Sequence, residues 1–290
     1  MKKVKQPEIT ERELNKIERH QKSISTDGYK PYITVRQSNS VGLCNIIFSH
    51  KLNRNVHLLS LGELSLFLHL EHQNNVIEIY EQYPLPINQT LSCAEELNIY
   101  HPSRYKERDH QTKVIPANTM TTDMVAITRD INSNTDKIQP YNYKPSKALS
   151  SKHESAQKVS RTRQKFQIER LYWEKQGLTL VQVTEQDLNP NKTYNLKWLR
   201  ECFLSPLHLE VPQALYTSMV LTLIRSLKDK PTDTLKTQLT FVAETHNITL
   251  DQMFRLFQYA CYNDDLAVDL DTKIELYRPL AMNETLCNAY

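Results

Sequence analysis

Apolar and polar positions along the first two thirds of the chain follow a mixture of helical and strand-like periods. Residues 57–72 are apolar on nearly every face, a pattern typical of a helix that is buried on both sides. Residues 119–130 and 137–145 resemble strands, and the polar stretch between them predicts a hairpin. The other elements predicted here are a charged helix over 8–22, β-rich pieces within 30–49, a strand over 75–85, a polar insert over 86–118 with one short helix around Ala94–Leu97, a helix over 151–176 and a strand over 178–185.

The last third of the chain has a helical pattern. After a short helix in the sequence LKWLRECF, three helices are predicted over 211–230, 232–247 and 248–264, and a small hairpin over 266–280. Three helices followed by a hairpin are typical of a winged-helix module. We therefore predict two domains. The first, over 1–186, is α/β with a mixed central sheet and an N-terminal helical and β extension, and the second, over 187–290, is α-rich and winged-helix-like.

Composition narrows the class of protein. A length of 290 residues, with 39% hydrophobic and 24% charged positions, suits two folded domains of ordinary size. No run of about 18 apolar residues is present, and the basic N-terminus has no apolar stretch behind it, so we expect neither a membrane span nor a secretory signal. Only four glycines occur and none forms a phosphate-binding loop, which argues against nucleotide binding. The net charge of +3 neither demands nor excludes nucleic acid.

The cysteines and histidines do not form a metal-binding pattern. The five cysteines contain no CxxC pair, and the ten histidines show no HxH or HExxH spacing, so a zinc site is not supported. An odd, scattered set of cysteines predicts free thiols in a reducing cytoplasm. The cysteines are Cys44, Cys93, Cys202, Cys261 and Cys287.

Candidate chemistry lies on the predicted strands and the buried helix. Asn142 and Lys144 are two residues apart on one strand and share a face, and pairing with the preceding strand can bring Asp123 beside them. Glu63 lies in the apolar helix, where a carboxylate is costly unless it binds a metal or accepts hydrogen bonds. Clustered carboxylates that hold Mg²⁺, with a lysine beside them, can hydrolyse a phosphodiester.

Each of these residues also has a structural interpretation. Ser60 and Glu63 have the spacing of a capping box, with Glu63 at the third position of the helix, and one carboxylate does not easily fill both roles. Asp123 alone could be a strand-end aspartate, and Lys144, just before Pro145, could be a solvated strand end.

Five segments resemble the PD-(D/E)xK nucleases, and more closely the TnsA-type endonuclease subunits of Tn-seven-type transposons. The segments are SHKLNRNVHLLSLGELSLFL (49–68), EIYEQYPL (78–85), MTTDMV (120–125), NYKPSKAL (142–149) and IERLYWEKQG (168–177). The resemblance implies a restriction-endonuclease-like domain followed by a winged-helix domain, and a bacterial, cytoplasmic protein.

The resemblance also assigns site residues. It places the helix glutamate of the family at Glu63, the strand aspartate at Asp123 and the lysine at Lys144. Where TnsA-type proteins commonly have glutamine, this chain has Asn142, whose side chain is shorter by one methylene. Glu169 matches a further acidic position, on the following helix. The implied cofactor is Mg²⁺, with Mn²⁺ as a substitute, held by Glu63, Asp123 and Asn142.

The activity implied is 5′-strand hydrolysis at double-stranded transposon ends during cut-and-paste transposition. The implied partners are a transposase of the integrase fold (TnsB-like), which cuts and joins the 3′ ends, and an AAA+ regulator (TnsC-like) that contacts the C-terminal part. Three alternatives remain open: a non-catalytic adaptor between those partners, a transcriptional regulator, and a free-standing restriction or repair nuclease.

Charge distinguishes the two ends of the chain. The helix over 151–176 is dense in lysine and arginine and could contact phosphates, although a solvated helix face is the simpler interpretation. Tyr172 and Trp173 on this helix are expected in the core. The third C-terminal helix has a single arginine, Arg255, and the hairpin after it is acidic. We therefore expect this module to dock protein rather than to read DNA.

Overall fold

The computed structural model describes residues 3–38, 42–109, 111–130 and 132–283, and these fall into two units, residues 1–187 and 188–290. The first unit contains, in order, α1 (Glu11–Asp27), β1 (Asn45–Ser49), β2 (Arg54–Leu58), α2 (Leu61–Glu71), β3 (Val76–Pro84), α3 (Ile87–Glu96), β4 (Thr121–Asp130), β5 (Thr135–Tyr143), α4 (Ala156–Lys175) and β6 (Val181–Val183). The second contains α5 (Pro190–Leu199), α6 (Gln213–Asp229), α7 (Leu235–Thr245) and α8 (Leu250–Tyr262).

A four-stranded sheet in the order β3-β4-β5-β6 forms the centre of the first unit. The strands β3, β4 and β5 pair antiparallel, whereas β6 joins β5 in parallel, so the predicted mixed sheet and the predicted β4–β5 hairpin are both confirmed. A separate two-stranded sheet, β1 with β2, precedes it. Core side chains from β4 and α4, including Val125, Ile168 and Trp173, pack together, as predicted for the aromatic pair on α4.

Three local predictions for this unit need correction. The helix predicted over 57–72 begins only at Leu61, because β2 continues to Leu58 and Ser60 then caps α2 by accepting the Glu63 backbone N–H. The segment YITV (32–35) forms no strand and leads into a 3-10 helix over Val35–Gln37. The short helix expected around Ala94–Leu97 is the end of α3, whose buried Ile87, Leu91 and Ala94 recur at helical spacing.

A buried carboxylate of the N-terminal helix α1 connects this helix to the rest of the first unit. Glu13 is completely buried and accepts hydrogen bonds from the hydroxyls of Tyr32 and Thr119, and it forms an ion pair with Arg104. Burial raises the pKa of such a carboxyl, but the donors Thr119 and Tyr32 and the charge of Arg104 together lower it. The helix therefore belongs to the packed unit although most of its residues are polar.

The second unit is built around helices α6, α7 and α8, with Met219, Leu239 and Phe257 at the centre of its core. The hairpin predicted over 266–280 is reduced to one antiparallel bridge, between Val268 and Met282. The backbone groups of this segment have other partners. The side chain of Asn195 forms three hydrogen bonds with it, donating to the carbonyls of Leu270 and Thr272 and accepting from Ile274 N–H. The first two N–H groups of α7 donate to the carbonyls of Arg278 and Leu276.

The described cysteines, Cys44, Cys93, Cys202 and Cys261, are free thiols as predicted, and Cys287 lies outside the described residues. In the described part of the chain, no helix combines the length and the apolar character needed to span a membrane.

Candidate active site

Asp123 and Lys144 meet across the hairpin of β4 and β5. The register pairs Met124 with Tyr141, so Asp123 lies next to Asn142. One oxygen of Asp123, Oδ2, accepts hydrogen bonds from the Tyr143 backbone N–H at 2.8 Å and from Lys144 Nζ at 3.3 Å. The Lys144 ammonium also donates to the Tyr143 carbonyl, at 2.8 Å. Asp123 is therefore buried with a fixed orientation, and Lys144 faces it with 37% of its side chain exposed.

Glu63 reaches this region from the first turn of α2. Its Oε1 accepts from the Ser60 hydroxyl at 3.1 Å, and its Oε2 accepts from Leu59 N–H at 3.0 Å. The capping interpretation of Ser60 and Glu63 is thus confirmed, with Leu59 N–H in place of the Ser60 N–H. The same carboxylate is close enough to Asp123 for that charge to act on its ionisation. Capping and nearness to Asp123 are therefore compatible in one side chain.

Glu169 and Asn142 form a buried pair behind Asp123. The amide Nδ2 of Asn142 donates to Glu169 Oε2 at 2.9 Å, and the Thr122 hydroxyl donates to Glu169 Oε1 at 2.8 Å. Trp173 Nε1 donates to the same hydroxyl, at 2.9 Å. The chain of contacts joins α4 to the strand residues on either side of Asp123, so Glu169 is more than an ion-pair partner on a basic helix.

The carboxylates perturb one another. Burial, followed by the charge of Asp123, raises the pKa of Glu63 to about 7 and that of Glu169 to about 8. Burial by itself would lower the pKa of Lys144, but the charges of Asp123, Glu169 and Glu63 outweigh it and raise this pKa. Three carboxyl groups around the single ammonium of Lys144 indicate a site where additional positive charge is favourable.

The donor set fits a hard divalent cation. The oxygen Oδ1 of Asn142 is buried and has no hydrogen-bond partner, which is costly unless another group binds it. The nearby side chains that can bind a metal, those of Glu63, Asp123 and Asn142, offer oxygen ligands, the kind that Mg²⁺ prefers. Within the described ranges, however, no three Asp, Glu, His or Cys side chains are already arranged to hold a metal ion. To bind a cation, the Glu63 carboxylate would therefore have to do so while it accepts hydrogen bonds from Leu59 N–H, the Ser60 hydroxyl and a third donor.

Sequence reasoning missed two residues of this region. Gln82 on β3 is 3% exposed and donates from Nε2 to Glu63 Oε2 at 3.2 Å. Gly62, on α2, lies so close to the ring of Tyr143 that a Cβ at this position would overlap the ring unless the ring moved. Both lie in segments that carried the resemblance, but an amide within a strand and a glycine within a helix give no pattern that marks them beforehand.

The basic helix α4 has many of its cations already paired. Arg161 and Arg163 donate to the carbonyls of Tyr100 and Leu149, and Lys175 forms an ion pair with Glu96. Burial, then the charges of Arg161 and Lys144, lowers the pKa of Lys165, which indicates that these three cations share one region.

A mixed sheet with an aspartate and a lysine on adjacent strands, and a glutamate on a preceding helix, is typical of a nuclease domain. Residues 73–185 match the family model described as TnsA-like endonuclease N terminal, a range that contains Asp123, Asn142, Lys144 and Glu169 but not Glu63. Over 173 residues, 59% of this chain, the sequence is 33% identical to the transposon Tn7 transposition protein TnsA of Escherichia coli, and the match spans 55% of that protein's length. These two findings confirm the predicted resemblance to TnsA-type proteins.

Proposed function

We propose that this chain is a metal-dependent DNA endonuclease subunit of a heteromeric transposase, which hydrolyses the 5′ strand at transposon ends during cut-and-paste transposition. The observation that carries the proposal is the ion pair between Lys144 Nζ and Asp123 Oδ2, at 3.3 Å, beside the buried carboxylate of Glu63. The similarity to TnsA-type proteins supports both the reaction and the DNA substrate.

In this proposal Glu63, Asp123 and Asn142 hold Mg²⁺, for which Mn²⁺ can substitute. A cation held there would supply a water of lowered pKa and relief of negative charge at the phosphorus. Lys144 remains an ammonium, because the carboxylates around it raise its pKa, and it positions the attacking water or stabilises the phosphorane-like transition state. Glu169 holds the amide of Asn142, so that Oδ1 is the atom left for the cation. The products are a 3′-hydroxyl and a 5′-phosphate.

We also propose that the two units are domains with different tasks. Residues 1–186 cut DNA, whereas residues 187–290 dock protein as a winged-helix-type module with an irregular loop in place of the wing. Arg255 of α8 already donates to Gln258, and the loop after α8 carries Asp269 and Asp271, so this surface repels phosphate. The proposed partners are an AAA+ regulator at this module and an integrase-fold transposase at the DNA ends.

Replacing Asp123 by alanine tests the proposal in an assembly reconstituted with the partner transposase and transposon-end DNA. We expect 5′-strand cutting to be lost and 3′-strand cutting to remain. The matched control is Asp136→Ala, which removes an exposed aspartate of β5 that pairs with Arg129, and it should cut like the wild type. Unchanged 5′ cutting by the Asp123 variant would contradict the assignment.

A non-catalytic adaptor is the second candidate, and the hydrogen bonds that already occupy the Glu63 carboxylate, from Leu59 N–H, the Ser60 hydroxyl and the Gln82 amide, favour it. Titration of the full chain with Mn²⁺ separates the two candidates. Binding that disappears in the Asp123 variant supports the nuclease, and no binding supports the adaptor. Cutting by the chain alone, without partners, would indicate a free-standing nuclease instead.

A further inference from the structure

Gln82 has a backbone conformation that is unusual for its residue type. Its φ angle is 48°, in the left-handed region, although it lies within β3 and is neither glycine nor asparagine. A non-glycine residue in this region is strained, so other interactions must maintain it. If the position served only to bend the strand, glycine would do so at lower cost.

The segment after α1 forms hydrogen bonds with the backbone at Gln82. Tyr32 donates its backbone N–H to the Gln82 carbonyl at 3.2 Å, and the Tyr29 hydroxyl donates to the Glu81 carbonyl at 2.6 Å. Tyr32 is itself held by Glu13, whose carboxylate accepts from the Tyr32 hydroxyl at 2.9 Å. The N-terminal helix is thus connected to the backbone at Gln82 by hydrogen bonds of buried or half-buried groups.

The amide of Gln82 faces the carboxylate of Glu63. The strand pairs Glu81–Met124 and Tyr83–Thr122 bracket Gln82 and Asp123, which therefore lie opposite each other. The Thr121 hydroxyl donates to Gln82 Oε1 at 2.9 Å. Because the carboxylate of Glu63 only accepts, the amide nitrogen faces Glu63 Oε2, to which it donates at 3.2 Å, and the amide oxygen is left to accept from the Thr121 hydroxyl.

We propose that Gln82 is a positioning residue for Glu63. Its amide and the Leu59 N–H both donate to Oε2 and hold the carboxylate in place beside Asp123 and Lys144. Thr121 orients the amide, and Tyr32 keeps the backbone in the form that lets the amide reach. The inference rests on the proposed nuclease function. It adds that α1 and the segment after it contribute to the geometry of the site and not only to folding.

Two variants of Gln82 separate its side chain from its backbone. Gln82→Gly removes the amide and tolerates the left-handed φ, whereas Gln82→Asn keeps an amide and also tolerates this φ but is one methylene too short. We expect both to melt close to the wild type and to bind transposon-end DNA with unchanged affinity. The single-turnover rate of 5′ cutting and the affinity for Mn²⁺, measured by calorimetry on the full chain, should each fall roughly tenfold or more.

Thr121→Val provides an independent variant that leaves Gln82 intact. It removes the hydroxyl that orients the amide, and we expect smaller losses of the same two quantities. Wild-type cutting and Mn²⁺ affinity in a folded Gln82→Gly protein would overturn the positioning role. If that variant fails to fold, the same wild-type result for Thr121→Val would overturn it.

The Asp123→Ala protein serves as the reference in this experiment. If it still cuts the 5′ strand, the nuclease proposal fails whatever the Gln82 variants do. If it is inactive while the Gln82 and Thr121 variants behave like the wild type, only the positioning role fails.

Discussion

Gly62 at the start of α2 packs against the ring of Tyr143 at the end of β5, and a Cβ at position 62 would overlap the outer ring carbons and the hydroxyl. Gly62 immediately precedes Glu63, and Tyr143 stands between Asn142 and Lys144. The contact therefore sets how closely the helix that carries one acidic group approaches the strand that carries the lysine. The absence of a side chain, rather than an unusual backbone angle, is what this close approach uses at Gly62.

Replacing Gly62 by alanine should push α2 away from β5. We expect the free energy of unfolding to fall by about 1–3 kcal/mol, as for other overpacked sites. The rate of 5′ cutting should fall more than stability explains, because Glu63 moves relative to Asp123. Chemical denaturation and single-turnover cutting measure the two effects. In a Tyr143→Leu background the overlapping atoms are absent, so Gly62→Ala should cost less there, and equal losses in both backgrounds would contradict the steric explanation.

Replacing Asn142 by aspartate should make stability more dependent on metal. The new carboxylate faces Glu169, so without metal the melting temperature should fall by a few degrees, in line with a loss of roughly 1 kcal/mol. Added Mg²⁺ should then raise it more than in the wild type, because the site gains a charged oxygen ligand. Thermal unfolding at increasing Mg²⁺ checks this. Asn55→Asp, at an exposed position of β2, is the control, and the same Mg²⁺ response in all three proteins would argue against Asn142 as a ligand.

Buried His101 should make the chain sensitive to acid. Its Nδ1 donates to the Pro102 carbonyl and its Nε2 contacts the Thr90 hydroxyl, both at 2.9 Å, and burial is the main cause that lowers its pKa to about 4. The unfolded chain takes up this proton below its ordinary pKa of 6.5, so the stabilisation is present above pH 6.5 and is lost as the pH falls toward 4.

We therefore expect the free energy of unfolding of the wild type to fall between pH 7 and pH 4.5 by more than that of His101→Gln, with a difference on the order of a few kcal/mol at most. Groups common to both proteins cancel in this comparison. Exposed His153→Gln is the control and should follow the wild type. Parallel pH profiles for wild type and His101→Gln would show that the buried ring does not resist protonation.

Arg104 and Arg12 each pair with a glutamate but should differ in their effect on stability. Arg104→Met leaves Glu13 as a buried charge without its cation, and we expect a loss of about 3–5 kcal/mol. Arg12→Met breaks an exposed pair with Glu107, so the change should stay below about 1 kcal/mol. Chemical denaturation of both variants measures the difference. Similar losses would mean that the Glu13 cluster does not anchor α1.

The local sequence pattern was enough to predict those helices and strands that are determined by residues close together in the chain. The β4–β5 hairpin, the basic helix α4 and the three C-terminal helices occur where the periods predicted them, because burial of one face imposes a period of two or 3.6 directly on the sequence. The prediction of a C-terminal hairpin was wrong because of contacts with residues distant in the sequence. Asn195 and the start of α7 occupy backbone groups of the segment 266–280, and neither lies near it in the sequence.

Asp123, Asn142 and Lys144 could be grouped from the sequence alone because one hairpin and its alternation bring them together. Only the tertiary structure decided that Glu63 both caps α2 and lies beside Asp123. It likewise decided that Glu169 takes the amide of Asn142, 27 residues away, and that Gln82 turns toward Glu63, 19 residues away. Such contacts depend on how separate elements pack against one another, and that packing leaves no period in the sequence.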